Sequence, residues 1–167
     1  MSLTLEIEQD VVVHPVDIIE HIALINDWDF ERQDADEILI SVKGSWSDYQ
    51  VSFTWMHALE SLHIVSSFDL KVPPKRLDEL KQLIMQINEQ LWIGHFDLWQ
   101  KEGAILFRNS HLLSGGAEVS VAQCEALLRS ATDACDLYYQ AFQFVVWAGK
   151  NSKEAMAAMM FETQGEA

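Results

Sequence analysis

The 167-residue chain predicts an α+β fold, an antiparallel sheet with helices packed on it, and three features carry that expectation. Apolar residues recur at helical spacing in separate stretches, they alternate at period two in between, and short turn signals join the alternating runs. The expected order is α-β-β-β-α-β-β-α in one domain over residues 1–167, with frayed ends at 1–13 and 162–167.

The first helix is expected over Pro15–Ile25 (PVDIIEHIALI), where apolar residues fall at 16, 19, 22, 23 and 25. Pro15 suits the first helical position because that N–H has no intrahelical partner to lose. From Trp28 to Val72 the period becomes two. Ile38, Ile40 and Val42 alternate with Leu39, Ser41 and Lys43. Tyr49, Val51, Phe53 and Trp55 alternate with Gln50, Ser52 and Thr54, and Leu62 to Leu70 repeats the pattern around His63, Val65 and Ser67. KGSWSD and the HALES region connect these runs into an antiparallel meander.

Pro73-Pro74 ends the meander, since neither proline can donate to a sheet, and the second opens a helix running to about Gln90. Leu77, Leu80, Ile84, Ile87 and Leu91 form its single apolar stripe. The next stretch, LWIGHFDLWQKEGAILFR from Leu91 to Arg108, returns to period two. Ile93, His95, Asp97 and Trp99 are expected on one strand face, with Trp92, Gly94, Phe96 and Leu98 on the other. Gln100 to Gly103 reads as a hairpin, and Ala104 to Asn109 as the return strand. The longest helix follows the Gly115-Gly116 break. Ser120 and Gln123 match a capping box, and Val121, Cys124, Leu128, Ala131, Cys135, Tyr138, Phe142 and Val145 keep strict 3,4 spacing. Gly149 to Ser152 interrupts it, and KEAMAAMMF reads as a second helical piece.

A chain with 49% apolar and 22% charged residues and 3 prolines is globular rather than disordered. Its 11 Lys and Arg against 26 Asp and Glu give a net charge of −15. Nucleic acid and anionic membranes would be repelled, whereas basic protein partners would be attracted. The start, MSLTLEIEQDVVVHP, has acids where a secretory signal carries bases, and no run of about eighteen apolar residues occurs, so a cytoplasmic location is expected. Cys124 and Cys135 lie about 16 Å apart along one helix, beyond disulfide reach, and read as small core residues.

Motifs for phosphate loops, Cys-x-x-Cys, His-Glu-x-x-His and Gly-x-Ser-x-Gly are missing, and no cofactor is implied. Pairs such as Glu60 with Asp69 or Asp78 with Glu79 read as a solvated acidic surface. The sharpest enzymatic alternative is a metal centre built on His63, His95 and Asp97, two imidazoles and a carboxylate able to hold a divalent ion with one open position. The better signal is aromatic. Six tryptophans include Trp46, Trp55, Trp92, Trp99 and Trp147 on or beside elements that already bury another face. A partner chain is the simplest cover for the remainder.

The run Ile87-Asn88, Leu91-Trp92-Ile93-Gly94-His95-Phe96-Asp97, Gly103 and Leu106-Phe107-Arg108 resembles the pattern of the YbjN family of bacterial sensory transduction regulators. The resemblance implies a twisted antiparallel sheet with helices packed on it, like that of type III secretion chaperones, in small acidic proteins that often form homodimers and bind other proteins. It supplies no catalytic residues. The functional expectation is therefore a non-enzymatic, chaperone-like or regulatory protein, homodimeric, contacting a protein partner through Trp55, Trp92, Phe96, Trp99 and Arg108. A small-molecule sensor with an apolar pocket between sheet and long helix is a further alternative.

Overall fold

A computed structural model describes residues 12–165. In chain order it contains α1 (Pro15–Ile25), β1 (Phe30–Arg32), β2 (Glu37–Lys43), β3 (Asp48–Met56), β4 (Ser61–Phe68), α2 (Leu77–Asn88), β5 (His95–Trp99), β6 (Ala104–Leu112), α3 (Val121–Val146) and α4 (Ser152–Gly165). Short 3₁₀ turns at His57–Leu59 and Pro74–Arg76 precede β4 and α2.

Local chemistry sets the helix starts. Pro15 opens α1 while the His14 ring accepts from the Val16 N–H at 3.1 Å, so a histidine serves as the cap. At α3 the expected capping box forms: Ser120 Oγ accepts from the Gln123 N–H at 3.1 Å, and Gln123 Oε1 accepts from the Ser120 N–H at 2.8 Å.

The six strands form one antiparallel sheet in the order β1-β2-β3-β4-β6-β5. Alternation sorts the side chains into two faces. Ile38, Ile40, Tyr49, Val51, Phe53, Leu62, Ile64, Phe96 and Phe107 share the face that is fully buried. Over it lie α1 against β2 and β3, α3 against β4 and β6, and α2 against β5, with α4 packed outside on α2 and α3. On the other face Leu39, Ser52, Thr54, His63, Val65 and Ser67 stay half-buried.

The helix layer is locked to the sheet by polar contacts as well as packing. Asp136 of α3 accepts from the Tyr49 hydroxyl and from the Ser45 N–H and Oγ at 2.9 and 3.0 Å, pinning the β2–β3 hairpin. Burial, then the hydrogen bond to Asp136, push the Tyr49 phenol well above its ordinary range. Cys124 and Cys135 are buried in the core as expected, and burial raises their thiols to about 11 and about 12.

Several expectations change. β1 was not foreseen: FER is too short for a period to show, and it forms by adding Phe30 to Arg32 alongside Ile38 to Ile40. The strand expected from Ile93 starts only at His95, and its partner continues to Leu112. The frayed ends expected at 1–13 and 162–167 fall largely outside the described residues. Within them, Val12 and Val13 are exposed and irregular, and α4 continues in helix through residues 162–165.

Candidate partner-binding surface

The chain leaving α2 makes the most exposed apolar feature among the described residues. Leu91 still packs against the core, but Trp92 is 100% exposed and Ile93 60% exposed. Gly94 then turns the chain at φ +70° into β5. A Cβ at that position would sit 2.2 Å from Cζ of Phe107 and 2.9 Å from the Arg108 carbonyl oxygen, so glycine is required by both conformation and space. Trp92 and Ile93 border a groove of about 420 Å³ whose other walls are Asn109, Ser110 and His111 of β6 and Gln123, Ala126, Leu127 and Ser130 of α3. Among the described residues no Asp, Glu, Lys or Arg lines it. In a chain of net charge −15 this is a charge-poor site, the composition found at interface centres.

The five residues expected to touch a partner are not brought together. Phe96 is corrected to a core residue: it is 1% exposed and its ring lies 5.5, 5.9 and 5.0 Å from those of Phe107, Tyr138 and Phe142. The expected sharing of one strand face by Trp92 and Phe96 also fails, because Trp92 precedes the strand and the positive φ of Gly94 resets the direction of the side chains. Trp99, 47% exposed, and Arg108 do share a face, the one away from the helices, where Arg108 Nη1 meets Asp97 Oδ2 at 3.1 Å. Trp55 is half-buried at the helix-side margin, and its indole N–H donates to His57 Nδ1 at 3.2 Å.

The metal centre imagined from His63, His95 and Asp97 does not assemble. Asp97 is engaged by Arg108 and by the Leu98 N–H at 2.9 Å, and His63 Nδ1 contacts Ser110 Oγ at 2.7 Å. Burial, then the positive charge of Arg108 and proximity of His95, lower the His63 pKa. Among the described residues the one convergent donor set is instead His14, Asp36 and His57, with ligand atoms within 4.8 Å of one another. Sequence reading missed it, for the three residues come from separate turns.

Its hydrogen bonds decide against an ion. His14 Nε2 and His57 Nε2 lie 2.9 Å from the two oxygens of Asp36. Each Nδ1 faces a fixed donor: the Val16 N–H for His14 and the Trp55 indole N–H for His57. Both rings must then carry their protons on Nε2. A neutral imidazole that ligates through Nε2 needs its proton on Nδ1 and an acceptor opposite, the reverse of this arrangement. The cluster is a clasp joining the start of α1 to two turns of the sheet.

The free edge of β5 is closed to strand addition. Asn88 Oδ1 accepts from the Phe96 N–H at 2.8 Å while its Nδ2 donates to the Phe96 carbonyl at 3.0 Å, taking the place of a neighbouring strand. The Leu98 N–H is held by Asp97. Side chains rather than backbone are therefore what this end offers a partner.

The YbjN family model, described as "Putative bacterial sensory transduction regulator", matches residues 15–144. The crystal structure of YbjN from E. coli, "a putative transcription regulator", is similar at TM-score 0.54 and 11% identity, covering 76% of this chain and 89% of that one. The crystal structure of the ExsC-ExsE complex is similar at TM-score 0.50 and 12% identity, covering 79% of this chain and 93% of that one. At these identities the likeness is one of fold. No curated protein matches the sequence. No described helix is long and apolar enough to cross a membrane.

Proposed function

This chain belongs to the YbjN family, and from that premise we propose that it is a non-enzymatic, chaperone-like regulator of the bacterial cytoplasm that covers an apolar segment of another protein. The observation that carries the reading is Trp92, fully exposed beside Ile93 at the mouth of a charge-poor groove. Covering a tryptophan of about 200 Å² contributes about 5 kcal/mol before the ordering costs of association are subtracted, enough to anchor a complex. The similar ExsC structure is itself a complex with a second protein, which supports the same use of the fold.

The partner inserts side chains against Trp92 and Ile93 and does not extend the sheet, because Asn88 and Asp97 occupy the β5 edge. Its approach is steered by the net charge of −15, which favours a neutral or basic segment. A second copy is offered a different surface, the open sheet face bearing Trp99 and Arg108. Leu39, Ser41, Ser52, Thr54, Val65 and Ser67 give it an uncharged middle, while Glu37, whose Oε1 accepts from Ser52 Oγ at 3.4 Å, and the Asp97–Arg108 pair supply its charges.

The test is reconstitution. A protein that copurifies from the native cytoplasm is expressed alone, and its affinity for the wild type and for Trp92→Ala is compared by calorimetry. The expected loss is about tenfold to a hundredfold at unchanged thermal stability. A variant that unfolds, or one that binds as tightly as wild type, contradicts the proposal. Light scattering on Trp99→Ala reads the second-copy surface separately, with a dimer expected for the wild type and a monomer for the variant.

A further inference from the structure

We propose that the cleft between α1, α3 and β2 is a binding site for a small monocarboxylate with an apolar body, distinct from the Trp92 surface. The cleft holds about 280 Å³, just below the volume of ordinary drug-sized ligand sites and suited to a small molecule. Ile22, Val42 and Leu128 form its buried floor, and the half-buried Trp28 indole makes a wall. An apolar body is what such a floor accepts.

The polar groups select the charge. Arg32 is paired with Asp17 and Glu20, Arg76 donates to the Val145 and Lys150 carbonyls, and Arg108 is paired with Asp97. Arg129, lining the cleft, has no ion pair or side-chain hydrogen bond among the described residues, although the chain carries 26 acids. The Trp28 indole N–H in the same cleft also has no acceptor there. The other polar donors are committed: Asn26 Nδ2 to the Ile22 carbonyl at 2.8 Å, and Thr132 Oγ1 to the Leu128 and Arg129 carbonyls at 3.2 Å each. Arg129, exposed at the rim, and the half-buried Trp28 indole N–H are both free to meet an acceptor above the apolar floor, and an anionic group on an apolar body suits the two together. Glu125 on the rim opposes further negative charge, which favours a monocarboxylate over a polyanion.

The position adds a consequence. Gln123, Ala126, Leu127 and Ser130 wall the partner groove, while Glu125, Leu128, Arg129 and Thr132 of the same turns of α3 wall the cleft. The two sites stand back to back on one helix.

The experiment uses the full chain and indole-3-acetate as probe, with neutral indole and cationic tryptamine as controls of matched shape. Binding is read from the Trp28 indole N–H resonance and from the unfolding temperature. Indole-3-acetate is expected to shift both in a saturable manner, indole more weakly and tryptamine least. Arg129→Gln, a change at an exposed position, is expected to weaken indole-3-acetate at least about tenfold while leaving indole unchanged. Val42→Trp, which fills the floor, is expected to abolish the shift; should it fail to fold, Arg129→Gln still decides. Absence of a saturable shift with every probe, or equal affinity for the three probes in wild type and Arg129→Gln, overturns the assignment. Neither result bears on partner binding at Trp92, so this proposal and the protein-binding reading fail separately.

Discussion

Trp92 and Phe96 lie four residues apart in the same aromatic stretch and have opposite fates. Trp92 stands wholly in solvent on the connection from α2, whereas Phe96 is 1% exposed among Phe107, Tyr138 and Phe142. The backbone between them makes the difference. Gly94 takes φ +70° against the Phe107 ring, so residues before it belong to a loop and residues after it to the sheet. Phe96 is further held by the two hydrogen bonds from Asn88, while the Trp92 side chain has no hydrogen bond or ring contact among the described residues. A large aromatic therefore indicates a core or a contact surface only once the local backbone is known. Here one short segment supplies a buried ring and a fully exposed one, joined by a glycine.

The sharpest way to break that contrast is to truncate each ring. Phe96→Ala removes a buried ring and is expected to cost about 3–5 kcal/mol of stability, measured by denaturant unfolding. Trp92→Ala should change it by no more than about 0.5 kcal/mol. Equal losses would mean that Trp92 packs in solution. Gly94→Ala comes next, since it forces a Cβ into the left-handed region and onto Phe107. A loss of at least about 2 kcal/mol is expected, with the unfolding temperature falling accordingly. Asn88→Ala uncovers the Phe96 N–H and carbonyl. It should cost about 1–3 kcal/mol and, by freeing the β5 edge, increase self-association in sedimentation experiments.

The smallest effect lies at the clasp, far from this segment. Partial burial raises the Asp36 carboxyl, but hydrogen bonds from the Nε2–H groups of His57 and His14 outweigh it, and its pKa falls below the ordinary carboxylate value. The stabilisation it brings is thus present above about pH 4 and is lost as pH falls through the folded-state value. Asp36→Asn should flatten the acid limb of the stability profile below about pH 4, and an unchanged limb would remove the clasp from the account.

The sequence periods located α1 to the residue, the meander, α2, the capping box of α3 and the helical piece of α4, because each of these buries one continuous face. Where burial is not periodic the reading fails. β1 is three residues long and owes its existence to β2. The insertion of β6 between β4 and β5 is a pairing of distant segments that no local pattern records. Trp92 continues the period-two count by accident of composition, so nothing but the backbone at Gly94 separates it from Phe96. Of the expected contact residues, Trp99 and Arg108 do share a surface, yet the His14, Asp36 and His57 cluster beside Trp55 was invisible because its members meet only through the fold.

The central claim, that Trp92 faces another protein, is tested most directly by placing a photo-crosslinking amino acid at Trp92 in living cells and, as a control, at exposed Lys101 on the β5–β6 hairpin. A discrete adduct between this chain and a second, different protein is expected from position 92 and absent from position 101. No adduct at position 92, or the same pattern from both positions, would contradict it.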